Sequence, residues 1–143
     1  MHSKKRFEEV SINVKLKLAA LWVSFMFLYI YVDVFALYMP HKIENIINGK
    51  VFVFDITQGF LFTALALATL PILMIFLSVL LQATIKRIVN ITAAIIHVPY
   101  MLFNLAGEAW VHMVFGAAVE ILLLSLIIYY AWKWPHVKVD ISH

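Results

Sequence analysis

The chain contains no cysteine. That absence removes disulfides, thiolate metal ligands and cysteine nucleophiles together. Charge is scarce as well: only 13% of the 143 residues are Asp, Glu, Lys or Arg. A water-soluble domain of this length needs far more polar surface to cover its exterior. Chemical motifs are missing too. There is no HExxH or ExxH pair for a metal, no supported Ser–His–Asp arrangement, and no basic patch interleaved with aromatics for a nucleic-acid groove. His97 and His112 lie at different helical depths, so they do not suit a bis-histidine haem. The sequence therefore assigns no catalytic residue, no metal, no cofactor and no nucleic-acid partner, and nothing in it argues for an enzyme.

What is present is apolar. The chain is 64% hydrophobic, with a mean hydropathy of +0.95. Four apolar blocks cover residues 18–39, 57–81, 88–106 and 109–132, each about the ~20 residues that cross a bilayer as a helix. They predict an all-α integral membrane four-helix bundle over 18–135, with the lipid bilayer as its first partner. A basic arm (1–17) precedes it and a short tail (136–143) follows. The first block is too long for a signal-peptide core and no cleavage site follows it, so it reads as a retained span.

The basic residues orient the bundle. Lys4, Lys5, Arg6, Lys15 and Lys17 in the arm, Lys86 and Arg87 in the second turn, and Lys133 and Lys138 near the end all fall on one side. The other side has Lys42 and Lys50, offset by Glu44, Asp55 and Glu108. The positive-inside rule then places both termini in the cytoplasm. Trp22 and "YYAWKWP" (129–135) read as the inner aromatic belt, Tyr38 and Trp110 as the outer one. The longest connection, 41–56, faces outward. It predicts a short interfacial helix, a stop at Asn48-Gly49, and an extended "VFVF" leading into the second span. Pro71 and Pro99 fall mid-span, where a proline frees a carbonyl and can open space. Ala64, Ala68, Gly116 and Ala117 suit close helix contacts.

Three ionisable residues sit within spans, where they are costly and usually face the interior: Asp33, His97 and Glu120. With ~1.5 Å of rise per residue, they lie roughly 9, 13 and 16 Å below the outer helix ends. Tyr29 is one turn from Asp33, and Asn104 two turns above His97. His112, Gly116 and Glu120 share a face, and Gln58 opens the second span. Together with Tyr100 these predict a polar pocket opening outward, enlarged by loose packing at Gly116 and by Pro99, with Glu120 near its floor. Carboxylates in apolar surroundings need a proton, a cation or a donor. His97 is the intramembrane base nearest to hand. Asn90, with His97 and Asn104 at seven-residue spacing, falls at the cytoplasmic boundary, where an asparagine costs little.

"TQGFLF", "LPILMIFLS", "KRIVNI" and "EILLLSLIIYYAWKWP" resemble an uncharacterised family of small bacterial membrane proteins, defined by a domain of unknown function. The resemblance covers 18–135 and rests on Asp33, Thr57-Gln58-Gly59, Pro71, Arg87, Asn90 and Glu120. It implies four spans, a layout similar to that of the DoxX-like proteins, and residence in the bacterial inner membrane. It implies no reaction.

Three functions are compatible with these residues. The first is binding or transport of a small ligand, with Asp33 and Glu120 as proton-exchangeable groups; alternating access in so small a unit would need a homo-oligomer. The second is an accessory protein whose polar groups only hold helices together. The third is a quinone-associated redox subunit using His97, Tyr100 and Glu120.

Overall fold

The computed structural model describes residues 11–106 and 109–134. The start of the predicted arm, Glu108, and the predicted tail lie outside them. Four long helices dominate: α1 (Val14–Ala36), α3 (Gln58–Leu80), α4 (Ala83–Asn104) and α5 (Val111–Trp132). Between α1 and α3 come a short helix, α2 (Lys42–Ile47), and a two-stranded hairpin, β1 (Lys50–Val51) with β2 (Phe54–Asp55). The helices start where capping residues dictate. Asn13 accepts from the Lys15 N–H, and Thr57 from the Phe60 N–H at 3.1 Å, which satisfies donors that have no intrahelical partner. α1 packs against α5 and α3, and α4 packs against α5 and more lightly against α3.

Three of these helices, α1, α3 and α5, are long and apolar enough to cross a membrane. α4 falls short of that measure, although a fourth span was expected over 88–106. It starts five residues earlier, at Ala83, and so takes in Lys86 and Arg87. Its amphipathicity runs inside out. Lys86, Asn90 and His97 are buried, while Ile85, Ile88, Ile95, Ile96, Leu102 and Phe103 face outward. A helix on a water-soluble core shows the opposite arrangement. Side-chain hydroxyls follow the same logic. Ser24, Thr63, Thr69 and Ser125 each donate to the carbonyl four residues back, over 2.7–3.0 Å. These groups find partners within their own helix, as an apolar medium demands.

The core lies toward the end where α1 and α4 begin. Leu18, Trp22, Phe25, Met74, Ala94, Leu124 and Ile127 are almost fully buried there. Trp22 is therefore not a belt residue: it is 0% exposed. Its indole N–H donates to Asn90 Oδ1 at 2.7 Å, and Ser78 Oγ donates to the same oxygen at 3.0 Å. Asn90 Nδ2 in turn donates to the Lys86 carbonyl at 2.8 Å. Asn90 thus joins α1, α3 and α4. It is 0% exposed rather than at a boundary; the early start of α4 puts it two turns inside the helix. Lys86 is buried beside this node, with Nζ donating to the Val79 carbonyl at 3.1 Å and lying 5.5 Å from the Trp134 ring centre.

The 41–56 connection contains the expected short helix, but "VFVF" is not extended. It turns back at Phe52-Val53, pairing Lys50 with Asp55 and Val51 with Phe54. Phe52 has φ 54° and His41 φ 63°, both left-handed, a conformation that costs a residue with a Cβ about 1–2 kcal/mol. The hairpin is closed by Lys50 Nζ and Asp55 Oδ1 at 3.2 Å. Gly116 makes the close helix contact expected of it, and not the loose packing that was to enlarge the pocket. A Cβ there would sit 2.5 Å from Val32 Cγ2, so α5 meets α1 tightly at this point.

Candidate functional site

A cavity of about 480 Å³ opens at the end of the molecule that carries α2 and the hairpin. This is within the ~300–1,000 Å³ of ordinary small-molecule sites. α1 contributes Tyr29 and Asp33, α4 contributes Tyr100 and Asn104, and α5 contributes Glu120. α3 supplies Phe60, Thr63 and Ala64, and the hairpin supplies Phe52 and Phe54. The rings form a continuous wall: Phe54 stacks on Phe60 at 6.1 Å and tilts against Phe103 at 6.3 Å between centres. Lys42, Asn45 and Lys50 line the loop side. Lys50 is held by Asp55, and Lys42 is engaged as well.

Helix geometry explains why the polar groups converge. Tyr29 and Asp33 are four residues apart on α1 and so share a face. The Tyr29 hydroxyl meets the Tyr100 hydroxyl at 3.0 Å, joining α1 to α4. Glu120 is on α5, which packs against both, and lies within Coulombic reach of Asp33. Glu120 is only 3% exposed, yet its Oε1 has no hydrogen-bond partner. Asp33 is open to the cavity. Two carboxylates therefore share a largely apolar chamber, and one of them has an oxygen left bare.

Five of the eight residues singled out from the sequence line this cavity: Tyr29, Asp33, Tyr100, Asn104 and Glu120. Three do not. His97 is not among its lining residues. Its Nδ1 lies 2.8 Å from the Ala93 carbonyl, an acceptor, so that nitrogen carries the proton. Its ring is packed edge-on against Trp22, Phe25 and Tyr100. Below the large cavity a narrow cleft with no room for a water molecule is lined by Phe25, Tyr29, Pro71, His97 and Tyr100. The tyrosine pair thus separates His97 from the carboxylates it was expected to partner. Gln58 is exposed at the start of α3. His112 is on α5 beside Trp110, with Nε2 buried and unpartnered, but outside the cavity lining. Pro99 is exposed and does not line it either.

The sequence reading missed the hairpin's share of the site. Phe52 and Phe54 reach the cavity only because the chain reverses at Phe52. The sole turn signal, Asn48-Gly49, precedes the hairpin. Among the described residues there is no group of three or more His, Asp or Glu placed to hold a metal ion.

No curated protein and no solved structure matches the chain. A family model matches residues 5–140, nearly the whole sequence. The chain belongs to that family, a family of unknown function (DUF6326).

Proposed function

We propose that the chain is a multi-pass protein of the cell membrane, the bacterial inner membrane, that binds a small ligand in a cavity open to the outer side. On this reading α4 is the fourth span of an N-in, C-in bundle. Its Lys86, Asn90 and His97 are buried inside the assembly, and its outward face is apolar. Lys15, Lys17, Lys86, Arg87 and Lys133 lie at the end opposite the cavity, which suits a cytoplasmic side. The observation that carries the binding role is the 480 Å³ cavity with the unpartnered Glu120 oxygen at its wall. A polar atom used only to hold helices together would have a partner.

The absence of native cysteine makes the test direct. Asn104→Cys should react with a membrane-impermeant maleimide in intact cells, and Lys133→Cys only after lysis. Ala64→Trp should fill the cavity and remove the thermal stabilisation that a small-molecule panel gives the purified protein. Reaction of Asn104→Cys only after lysis would overturn the orientation. Undiminished stabilisation of the Ala64→Trp variant would overturn the site.

A further inference from the structure

We propose that the ligand of this cavity is an organic monocation with an apolar body, an aryl or alkyl ammonium rather than an anion, a sugar or a metal ion. The inference rests on the binding role just described and narrows it to a chemical class.

The charge follows from the bare carboxylate. Glu120 Oε1 is buried without a donor, and Asp33 lies within Coulombic reach of it. Two carboxylates in one apolar chamber repel each other, so a single positive charge between them is the complementary occupant. Among the described residues that line the cavity, no cation comes from the long helices. The cations that line the cavity, Lys42 and Lys50, come from the loop that covers its mouth. Lys50 is already bound to Asp55 at 3.2 Å. Tyr29 meets Tyr100 at 3.0 Å and also engages Asp33, so Glu120 is the carboxylate left for the ligand.

The size and lining exclude an inorganic ion. A metal site would gather three or more hard or imidazole ligands around one point. Here two carboxylates face about 480 Å³ of space walled by Phe52, Phe54, Phe60 and Phe103. The rings suit the apolar body of a ligand, while its charge goes to the carboxylates. A sugar would need many donors and acceptors, whereas Thr63 Oγ1 is turned back to the Gly59 carbonyl at 2.9 Å. The ammonium end therefore lies at Glu120 and Asp33, and the apolar body lies among the phenylalanines toward the hairpin.

The test uses a pair of probes that differ only in charge: a 4-phenylbutyl trimethylammonium ion and its neutral tert-butyl isostere. Binding to the detergent-solubilised full chain is read by a direct titration. We expect the ammonium to bind at least tenfold more tightly than the isostere. In Glu120→Gln that ratio should fall toward one while the isostere still binds, which also shows that the variant is folded. Asp33→Asn should reduce the ratio by a smaller factor. Millimolar Mg²⁺ or Mn²⁺ should not displace the ammonium. Equal binding of the two probes to the unaltered chain, or displacement by the divalent ion, would overturn the monocation while leaving the binding cavity in place. Failure of both probes to bind, with no change in Ala64→Trp, would overturn the cavity's binding role itself.

Discussion

The two ends of the helix assembly treat polar groups in opposite ways. At the closed end, Trp22 Nε1, Ser78 Oγ and Lys86 O all converge on Asn90 within 3.0 Å. At the cavity end, Glu120 keeps a buried oxygen without a partner. Both sites are polar and both lie among apolar helices. Only the first has the completeness of a structural joint. A network in which each buried atom is matched holds helices in register. A buried charge left bare costs stability and is retained where it serves something else.

The comparison breaks most readily at Asn90. Asn90→Ala would strand the Trp22 indole and the Ser78 hydroxyl at once, while the Lys86 carbonyl keeps the helical bond from the backbone N–H of residue 90. Interhelical hydrogen bonds in membranes average only ~0.6 kcal/mol each, with a maximum near ~1.7, but two lost together with both buried donors left unpaired should cost about 2–4 kcal/mol. Denaturant titration of the purified protein measures this. A loss under about 0.5 kcal/mol would mean that the node is not what holds α1, α3 and α4 together.

The cavity end was the more legible of the two from sequence. Helical spacing alone puts Tyr29 with Asp33, and a rise of ~1.5 Å per residue puts Asp33 and Glu120 both in the outer half of their helices. Those two regularities survive tertiary packing, and five predicted residues meet as a result. The closed end was misread for a physical reason. Lys86 and Arg87 look like the edge of a span, yet α4 begins at Ala83 and buries the first of them against Val79 and Trp134. That early start turns Asn90 from a boundary residue into an interior one. His97 failed differently. Its spacing with Asn104 is helical, but a seven-residue step drifts about 20° around the helix. The ring ends beneath the tyrosine pair, where a backbone carbonyl satisfies it. The reversal at Phe52 had no signature, because Phe and Val carry no turn preference.

Gly116 tests the rigidity of the cavity wall. A methyl group there would overlap the Val32 side chain, whose Cγ2 lies 2.5 Å from the position it would take. Val32 is on α1 and lines the cavity itself. Gly116→Ala should force α5 away from α1 and cost about 1–3 kcal/mol, the usual penalty of overpacking. Val32→Ala in the same chain should recover part of it. If Gly116→Ala is neutral and needs no rescue, the tight α1–α5 approach does not set the chamber's shape.

Between the two ends stands the Tyr29–Tyr100 pair, 3.0 Å apart and lining both the large cavity and the narrow cleft below it. Removing one hydroxyl in Tyr29→Phe leaves the other facing the cavity, where water or ligand can meet it. The loss should be about 0.5–1 kcal/mol, and Tyr100→Phe added to it should cost little more, since one bond is broken only once. A double variant whose losses add in full would show that each hydroxyl has a separate partner and that the pair is not a joint.

Glu120→Gln should change stability least, within about 0.5 kcal/mol of zero or on the stabilising side, because it exchanges a buried, unpartnered carboxyl for an amide of the same shape. This small effect separates the two ends most sharply. Asn90 and Glu120 are buried to nearly the same degree, at 0% and 3% exposed, so burial alone predicts similar costs for replacing them. Partnership predicts a difference of several kcal/mol: two buried donors are stranded at one site, and an unpartnered carboxyl is replaced at the other. Measured side by side in one detergent, the two denaturation midpoints decide between these accounts. A Glu120→Gln loss as large as that of Asn90→Ala would mean that the carboxylate braces the helices, and the polar groups of both ends would then be structural.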